Sequence, residues 1–297
     1  MQPLWHLCAL FLTTVLSFMF GFWLRRPGIV DARSSLVEDP GAGKTTSTTS
    51  KVKQPYDAFL LVDVEATCNA GTDFSYPNEI IEFPVCLMRW TDRDGDKASR
   101  LEVIEEFRSF IKPSWRPQLS QFCTELTGIT QEQVDGAPAF PAMLRSLRSF
   151  LVKHKLIEKS GKRRLRFCWC SDGPWDLRDF VVKECFISQV PMPDWMQGDI
   201  LDVRALVMAH TSARLASKPL RGPKGTLNIP AQLSILGLPP FLGRQHSGID
   251  DTRNLARIIA QLAVDGVRLQ PNTPINPRRR WFWMGKAGRI LEEDLAL

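Results

Sequence analysis

The chain has 297 residues, 44% hydrophobic and 24% charged, with a net charge of +6 and a pI near 9.0. This composition suits one globular domain with appendages or two small domains, and the modest positive charge favours polyanionic partners without identifying one. Its seven cysteines include no C-x-x-C pair, which argues against a zinc site or a dithiol redox motif, and their odd number argues against a secreted disulfide framework.

The N-terminal segment is apolar. Residues 4–24 carry no formal charge apart from a protonated His6, and Arg25 and Arg26 follow them. A helix of this length spans a bilayer. A signal peptide is the alternative, but no Lys or Arg precedes the apolar run. We therefore expect residues 1–26 to form a transmembrane anchor or signal segment. As an anchor it keeps the bulk of the chain, which follows it, on the cytoplasmic side. Without it we expect a cytoplasmic or nuclear protein.

Residues 27–55 read as a disordered linker rich in Ser, Thr, Gly and Pro. The stretch GAGKTT resembles a phosphate-binding loop. That motif needs a glycine five residues before Gly43, where this chain has Glu38, and no strand precedes the stretch. The sequence therefore predicts no nucleotide cofactor.

Three strands are predicted next, over Ala58–Glu65, Glu79–Trp90 and Leu101–Pro113, with the polar turn TDRDGDK before the third. Consecutive strands with a short turn indicate an antiparallel meander. Two further strands are predicted at 164–171 and 198–203.

Helical patterns fill the rest of the chain. A Thr130/Gln133 capping pattern predicts a helix start. Helices are predicted at Phe140–Leu156, Asp176–Phe186, Val203–His210, Pro230–Leu236 and Ile249–Val264. Strands alternating with helices after a meander predict an α/β fold with a mixed five-stranded sheet flanked by helices.

Two carboxylates interrupt the first strand. Asp63 and Glu65 point to the same face, roughly 7 Å apart, because side chains alternate along a strand. An exposed edge strand with two solvated acids is one interpretation. The other is a pair of oxygen ligands for a divalent cation such as Mg²⁺, which requires further carboxylates from elsewhere in the chain.

The last helix supplies candidates. Asp251 continues the apolar stripe of this helix, whereas Asp250 is rotated by about 100°. The stripe consists of Leu255, Ile258 and Leu262. A favourable charge at the helix N-terminus explains Asp250 better than Asp251. His246, on the loop before this helix, is either structural or catalytic.

A second group of candidates for a metal-ligating carboxylate lies in CSDGPWDLRDF. The candidates there are Asp172, Asp176 and Asp179. A helix cap explains Asp172 and an exposed helix face explains Asp179. Helix periodicity does not choose between them.

Several motifs together resemble the DEDDh 3′-5′ exonucleases, and more closely their enhanced-RNAi and histone-mRNA 3′-exonuclease branch. The resemblance covers about Tyr56 to Asp265. The blocks that carry it are VDVEATC (62–68), NEIIEFPVCL (78–87), FRSFIKP (107–113), LSQFCTELTGITQEQVDGAPAF (119–140), SDGPWDL (171–177) and GRQHSGIDDTRNLARI (243–258).

The resemblance implies a ribonuclease H-like fold and selects Asp176 over Asp172 and Asp251 over Asp250. It also implies two Mg²⁺ (or Mn²⁺) ions in a two-metal mechanism. The implied metal ligands are Asp63, Glu65, Asp176 and Asp251, with His246 as the general base. The products would be 5′-mononucleotides.

The implied substrate is an RNA 3′ end, single-stranded or with a short overhang, as in small-RNA turnover or the trimming of ribosomal or messenger RNA. The implied terminal-nucleotide pocket comprises Ala66, Thr67, Cys68, Leu126, Thr127, Ile129 and Trp175. Leu126 and Ile129 have core packing as an alternative, and Trp175 either stacks on a base or only packs. A catalytically weak RNA-end-binding module and a DNA 3′ exonuclease are the alternative functions.

The predicted exonuclease domain covers residues 56–268, followed by a basic and aromatic extension, 269–297. The histone-mRNA type also carries an N-terminal nucleic-acid-binding module, for which residues 27–55 leave no room, so its stem-loop specificity is not carried over. Residues 212–230 and 277–289 belong to none of the blocks that carry the resemblance and look private to this chain. For 277–289 we rank docking on the domain ahead of RNA binding, and RNA binding ahead of membrane contact.

Overall fold

The computed structural model describes residues 51–214 and 227–295. The strands in this part of the chain are β1 (Val52–Lys53), β2 (Ala58–Leu61), β3 (Glu65–Ala66), β4 (Ile80–Trp90), β5 (Lys97–Ala98), β6 (Leu101–Phe110), β7 (Phe167–Ser171) and β8 (Leu201–Asp202). The α-helices are α1 (Gln121–Thr127), α2 (Gln131–Asp135), α3 (Phe140–Lys153), α4 (Val181–Ile187), α5 (Val203–Arg214), α6 (Ile229–Ile235) and α7 (Gly248–Val264). A π-helical turn covers Asp176–Phe180.

The main sheet is mixed. Its order is β3-β4-β2-β7-β8, with β6 also paired to β4. The pairs of β4 with β2, β3 and β6 are antiparallel, and those of β7 with β2 and β8 are parallel. A meander followed by parallel strands is the arrangement that the sequence predicted. The short strands β1 and β5 form a separate antiparallel pair.

The sheet has six strands and not the five predicted, because the predicted strand over 58–65 is interrupted. The Val62 N–H still donates to the Cys170 carbonyl of β7, at 2.9 Å. The Val64 N–H instead leaves the backbone ladder and donates to the Asp176 carboxylate, at 2.8 Å. The chain then resumes as β3, with a register shift between Glu65 and Ala66. A side chain from outside the sheet therefore splits the strand.

Apolar layers cover both faces of the sheet. Along β2, Leu60 belongs to the cluster that contains the buried side chains of α3, whereas Phe59 and Leu61 belong to the cluster that contains those of α7. All three side chains are fully buried, as expected for a central strand between two helical layers. The predicted apolar stripe of α7 is buried in the second cluster.

The helices of the structure differ from the prediction mainly at their ends. The predicted capping box of α2 is present, with Thr130 and Gln133 satisfying each other's backbone N–H groups. The sequence analysis missed α1, which Ser120 caps and Gly128 ends in the left-handed conformation, φ 72°. The helix predicted from Asp176 begins with the π-helical turn, in which the Val181 N–H donates to the Asp176 carbonyl. Single π turns of this kind are frequent at functional sites.

The C-terminal extension docks on the domain through two tryptophans. Trp281 and Trp283 stack with their ring centroids 6.3 Å apart, and both are buried. The Trp283 indole N–H donates to the Ser75 carbonyl, at 2.5 Å. Docking, ranked first of the three interpretations, is therefore what the structure shows for these two rings. Phe282, between them in sequence, is exposed.

Within residues 51–214 and 227–295, no helix is long and apolar enough to cross a membrane. The predicted membrane segment at 4–24 and most of the predicted linker lie outside the described residues, as does the central part of 212–230.

Glu184 on α4 makes the stability of the folded protein depend on pH. Its carboxylate is buried and accepts hydrogen bonds from the Ile80 N–H at 2.8 Å and the Ser188 hydroxyl at 2.7 Å. Burial raises its pKa from the usual 4.5 to about 7. Between these values the folded chain holds more protons than the unfolded chain, so the stability from this group is lost as pH rises through the interval.

We expect Glu184→Gln, which cannot lose a proton, to remove this loss. The difference in unfolding free energy between variant and wild type should shift in the variant's favour by about 1–3 kcal/mol from pH 5 to pH 8. Urea unfolding at four pH values measures it, with Glu132→Gln on an exposed position of α2 as the control. Parallel pH profiles for all three proteins would contradict the account.

Candidate active site

Four predicted carboxylates converge at one edge of the sheet. Asp63 and Glu65 lie on the segment that leaves β2 and enters β3. Asp176 follows β7, which runs parallel to β2, so both strands deliver their carboxyl ends to the same edge. Asp251 lies in the first turn of α7. Separate segments of the chain thus supply the cluster.

One carboxylate oxygen from each of Asp63, Glu65 and Asp251 lies within 4.8 Å of the other two. Asp176 is tied to this group through the Val64 N–H, which comes from the residue between Asp63 and Glu65. The spacing suits a shared divalent cation, since carboxylate oxygens are the ligands that Mg²⁺ and Mn²⁺ prefer.

Gly248 lets α7 approach the strand end closely. A Cβ atom at this position would lie 2.6 Å from the Asp63 carbonyl oxygen, so a side chain would push the helix away. The Gly248 N–H also donates to the buried carboxylate of Glu82, at 3.2 Å. The glycine thereby positions Asp251, three residues later, against the other carboxylates.

Crowding dominates the electrostatics of the cluster. Burial, followed by the neighbouring carboxylate charges, raises the pKa of Asp63 and of Glu65 well above the usual range. Burial also raises the pKa of Asp176 and of Asp251 to about 7. Bound cations would reverse these shifts by compensating the negative charge.

One oxygen atom of the cluster is evidence for a metal site. Asp251 Oδ2 is buried and has no hydrogen-bond partner among the residues that the structure describes. An unpaired buried carboxylate oxygen is costly, and a divalent cation would satisfy it. The donor set therefore fits Mg²⁺ or Mn²⁺, with Asp63, Glu65, Asp176 and Asp251 as the residues able to hold it.

The competing aspartates after β7 have other partners. Asp172 pairs with the Arg204 guanidinium, at 2.5 Å, and accepts a hydrogen bond from Gln232 at 2.7 Å. Asp179 pairs with Arg178 at 2.9 Å and also with Arg279. These ion pairs give both side chains a structural role. The exposed helix face expected for Asp179 is wrong, because this side chain is buried.

Asp250 is also engaged. Its carboxylate accepts the Arg244 backbone N–H at 3.0 Å and pairs with Arg253 at 3.4 Å. Asp251, by contrast, faces the cluster. The structure thus separates the two neighbours in the way that the helix periodicity suggested.

His246 lies on the loop that enters α7, two residues before Gly248. Its backbone has φ 60°, a left-handed conformation that few non-glycine residues adopt, and the residue is exposed. Partial desolvation and the charge of Arg244 lower the pKa of the imidazole below its usual 6.5. The ring is therefore mainly unprotonated at pH 7, as a proton acceptor must be.

Arg244 holds this loop, and the sequence analysis did not single it out. Its guanidinium donates to the carbonyls of Glu125 and Leu126, each at 2.9 Å, and to the His246 carbonyl at 3.2 Å. It also lies over Gly128, where a Cβ atom would be 2.9 Å from Nη1. Arg244 thus ties the His246 loop to the end of α1. The motif GRQHSGIDD contained it, but one arginine in a basic chain gives no signal.

The residues predicted to line the terminal-nucleotide pocket are placed in two groups. Thr127 and Ile129 are buried: the Thr127 hydroxyl donates to the Cys123 carbonyl, and Ile129 packs in a small apolar cluster with Ile81. Leu126 is half-buried. At this loop, core packing therefore accounts for two of the predicted side chains.

The second group follows β3. Ala66 is half-buried on the strand. The Thr67 hydroxyl oxygen accepts the Glu79 N–H at 2.9 Å, and the Cys68 carbonyl accepts the Ser120 hydroxyl at 2.6 Å. These contacts fix the backbone here. This segment can therefore present its backbone atoms to a substrate in a defined geometry.

Trp175 precedes Asp176 and is half-buried. Its ring lies 5.8 Å from the ring of Phe74, and the Arg204 guanidinium lies 5.1 Å from its centroid. It also covers Gly173, where a Cβ atom would meet the ring at 2.1 Å. The indole is therefore held in one orientation next to the cluster.

Comparisons with known proteins show which protein family this chain resembles. The exonuclease family RNase_T matches residues 60–259. The chain is 36% identical over 253 residues to the 3′-5′ exonuclease eri1 of Schizosaccharomyces pombe, covering 80% of this chain and 76% of that protein. It is 32% identical over 217 residues to 3′-5′ exoribonuclease 1 of Homo sapiens, covering 73% of this chain and 55% of that one. The chain thus spans little more than half the length of its human relative.

Solved structures show the same relationship. A 3′-exonuclease that recognises the 3′ end of a histone mRNA stem-loop superimposes with a TM-score of 0.62 at 29% identity, over 75% of this chain and 69% of that chain. The nuclease domain of 3′hExo, a DEDDh family member bound to rAMP, gives a TM-score of 0.61 at 30% identity, over 75% of this chain and all of that domain.

These similarities confirm the predicted ribonuclease H-like exonuclease fold and the DEDDh resemblance. Sequence, fold and carboxylate cluster lead to one conclusion. The chain belongs to the RNase_T exonuclease family of hydrolases, and its relatives include a 3′-5′ exonuclease and a 3′-5′ exoribonuclease.

Proposed function

We propose that this chain is a divalent-metal-dependent 3′-5′ exoribonuclease that hydrolyses phosphodiester bonds at RNA 3′ ends and releases 5′-mononucleotides. The observation that carries the proposal is the carboxylate cluster at the sheet edge, in which one Asp251 oxygen has no hydrogen-bond partner among the described residues and fits a metal ion. We assign the activity to the exonuclease domain, residues 56–268, within which the family match at 60–259 falls.

Asp63, Glu65, Asp176 and Asp251 would hold two Mg²⁺ or Mn²⁺ ions. When bound, such ions stabilise the charge that develops on the attacking and leaving oxygens of an in-line displacement at phosphorus. The protein contributes the fixed positions of its ligands. The Val64 N–H holds one oxygen of Asp176, and Gly248 brings Asp251 to the end of β2.

His246 would act as the general base. An unprotonated imidazole nitrogen accepts the proton of the attacking water, and the lowered pKa keeps the ring in this form at pH 7. Arg244 is a positioning residue in this scheme, because it holds the carbonyl of His246 and the end of α1 at once.

The proposed substrate is an RNA 3′ end, single-stranded or with a short overhang, in small-RNA turnover or in the trimming of ribosomal or messenger RNA. The human relative is named an exoribonuclease, and one protein of similar structure is a 3′-exonuclease that recognises a histone mRNA stem-loop. We assign the terminal nucleotide to the segments Ala66–Cys68 and 126–129 and to Trp175. Thr127 and Ile129 would contribute backbone atoms, since their side chains are buried.

A time course on RNA tests the function. The full-length chain is incubated with a 5′-labelled single-stranded RNA, a duplex with a 3′ overhang and a DNA of the same sequence, in Mg²⁺, Mn²⁺ or EDTA. We expect a metal-dependent ladder that shortens from the 3′ end of RNA. Asp63→Asn should abolish it, whereas Asp96→Asn, the same change at an exposed position, should not.

Three results would contradict the proposed function. RNA that binds but is never shortened with either metal would indicate an RNA-end-binding module. Equal or faster shortening of DNA would indicate a DNA 3′ exonuclease. Loss of activity in Asp96→Asn equal to that in Asp63→Asn would remove the carboxylate cluster from the explanation.

Arg244 gives a separate prediction. Arg244→Gln loses the donors to three carbonyls, so we expect kcat to fall by about 10²-fold, the scale of a misplaced catalytic group, with a smaller rise in KM. Arg253→Gln, on the adjacent helix, should keep kcat within a few-fold, and both variants should keep a near-native thermal midpoint. Equal kcat values for the two variants would show that Arg244 does not position His246.

We also propose, from the sequence alone, that residues 4–24 anchor the protein in a membrane with the exonuclease domain facing the cytoplasm. Alkaline extraction of cell membranes should leave the full-length chain in the membrane pellet. Protease added to intact microsomes should digest the domain. Recovery of the uncleaved full-length chain in the soluble fraction would contradict the anchor.

A further inference from the structure

A cavity of about 230 Å³ adjoins the segment that leaves the carboxylate cluster. Its wall includes Cys68, Tyr76, Trp115 and Arg116. Cys68 is three residues beyond Glu65, so the two Cα atoms are at most ~11 Å apart along an extended chain. The cavity therefore lies within reach of the nucleotides next to the one at the proposed active site.

The loop that forms the far wall is rigidly held. Glu79 is fully buried beneath it, and its carboxylate accepts the backbone N–H groups of Ser114 at 2.5 Å, Trp115 at 2.8 Å and Arg116 at 2.9 Å. A buried carboxylate that accepts several amides fixes the backbone of such a loop. The Arg116 side chain thus projects from a preorganised position.

The Arg116 guanidinium has few partners. It donates to the Tyr76 hydroxyl at 2.7 Å and lies over the Trp115 ring, 4.4 Å from its centroid. Its acidic partner is Glu292 of the C-terminal extension, at 3.7 Å. The Trp115 indole N–H donates to the other Glu292 oxygen, at 2.9 Å. A guanidinium and an N–H donor thus converge on one carboxylate, an arrangement that also suits a phosphate.

The Glu292 contact is easily displaced. The side chains of Glu292 and Arg116 are 60% and 37% exposed, and exposed ion pairs of this kind contribute little to stability. Other contacts hold the extension on the domain, because Trp283 is fully buried and its indole N–H donates a hydrogen bond to the Ser75 carbonyl. Glu292 can therefore leave Arg116 while the extension stays docked.

We propose that Arg116 and Trp115 form a subsite for a phosphate of the RNA strand on the 5′ side of the terminal nucleotide, and that Glu292 competes with RNA for it. This rests on the proposed function: an exonuclease that holds the 3′ end finds its further nucleotides only on the 5′ side. The C-terminal extension then weakens RNA binding through one carboxylate.

Binding to 5′-fluorescein oligoribonucleotides tests the subsite, using the full-length chain with Asp63→Asn to prevent cleavage. For a ten-nucleotide RNA we expect Glu292→Gln to lower Kd about two- to fivefold, the scale of an exposed ion pair. The slope of log Kd against log salt should steepen by about 0.7, the value for one more phosphate contact on a single strand. A dinucleotide should show no change, because its only internucleotide phosphate is the scissile one, which the carboxylate cluster would hold.

Glu293→Gln is the matched control, because it makes the same charge change one residue away, where Glu293 pairs with Arg289 instead. We expect a smaller effect from it. Arg116→Gln should raise Kd and make Glu292→Gln ineffective. In the active enzyme, Glu292→Gln should lower KM and leave kcat unchanged.

Equal effects of Glu292→Gln and Glu293→Gln, or an undiminished effect in the Arg116→Gln background, would overturn the subsite. This outcome is distinct from failure of the proposed function. If RNA is hydrolysed from its 3′ end but the two glutamate variants behave alike, the subsite alone is wrong. If RNA is never shortened by the wild type, the proposed function is wrong whatever the variants do.

Discussion

Repulsion among buried carboxylates is the constraint on which this structure depends. Asp63, Glu65, Asp176 and Asp251 come from three parts of the chain, and burial raises the pKa of each. A fold that gathers them without positive charge between them loses stability to do so. This loss of stability is expected at a functional site, because bound cations would neutralise the carboxylates and restore the lost stability.

The charged side chains next to the cluster are paired with one another. Arg204 pairs with Asp172 and Arg253 pairs with Asp250, and within the described residues neither arginine forms an ion pair with the four carboxylates. The cluster is held instead by neutral contacts, the Val64 N–H on Asp176 and the close approach at Gly248. This separation leaves the negative charge of the cluster available to cations and explains why adjacent aspartates differ in role.

The local patterns of the sequence predicted most of the fold, because alternation, helical periodicity and caps are local properties. The stripe of α7 even separated Asp251 from Asp250 by burial. Contacts between distant residues were not predictable. The Asp176 carboxylate interrupts a strand 112 residues away, and Arg244 reaches carbonyls 118 and 119 residues away. The pairing of Arg116 with Glu292 gave no signal for the same reason. The residue pattern gave Asp63, Glu65, Asp251 and His246 as candidates, and the family resemblance was needed to choose Asp176 and to suggest the nucleotide pocket.

Titration of Mn²⁺ into the metal-free protein, followed by calorimetry, tests the central claim most directly. Asp251→Asn and Asp250→Asn make the same charge change on adjacent residues of α7. We expect Asp250→Asn to bind Mn²⁺ like the wild type and Asp251→Asn to lose at least one binding event. Equal weakening by both variants, or no Mn²⁺ binding by the wild type, would contradict a metal site built from these four carboxylates.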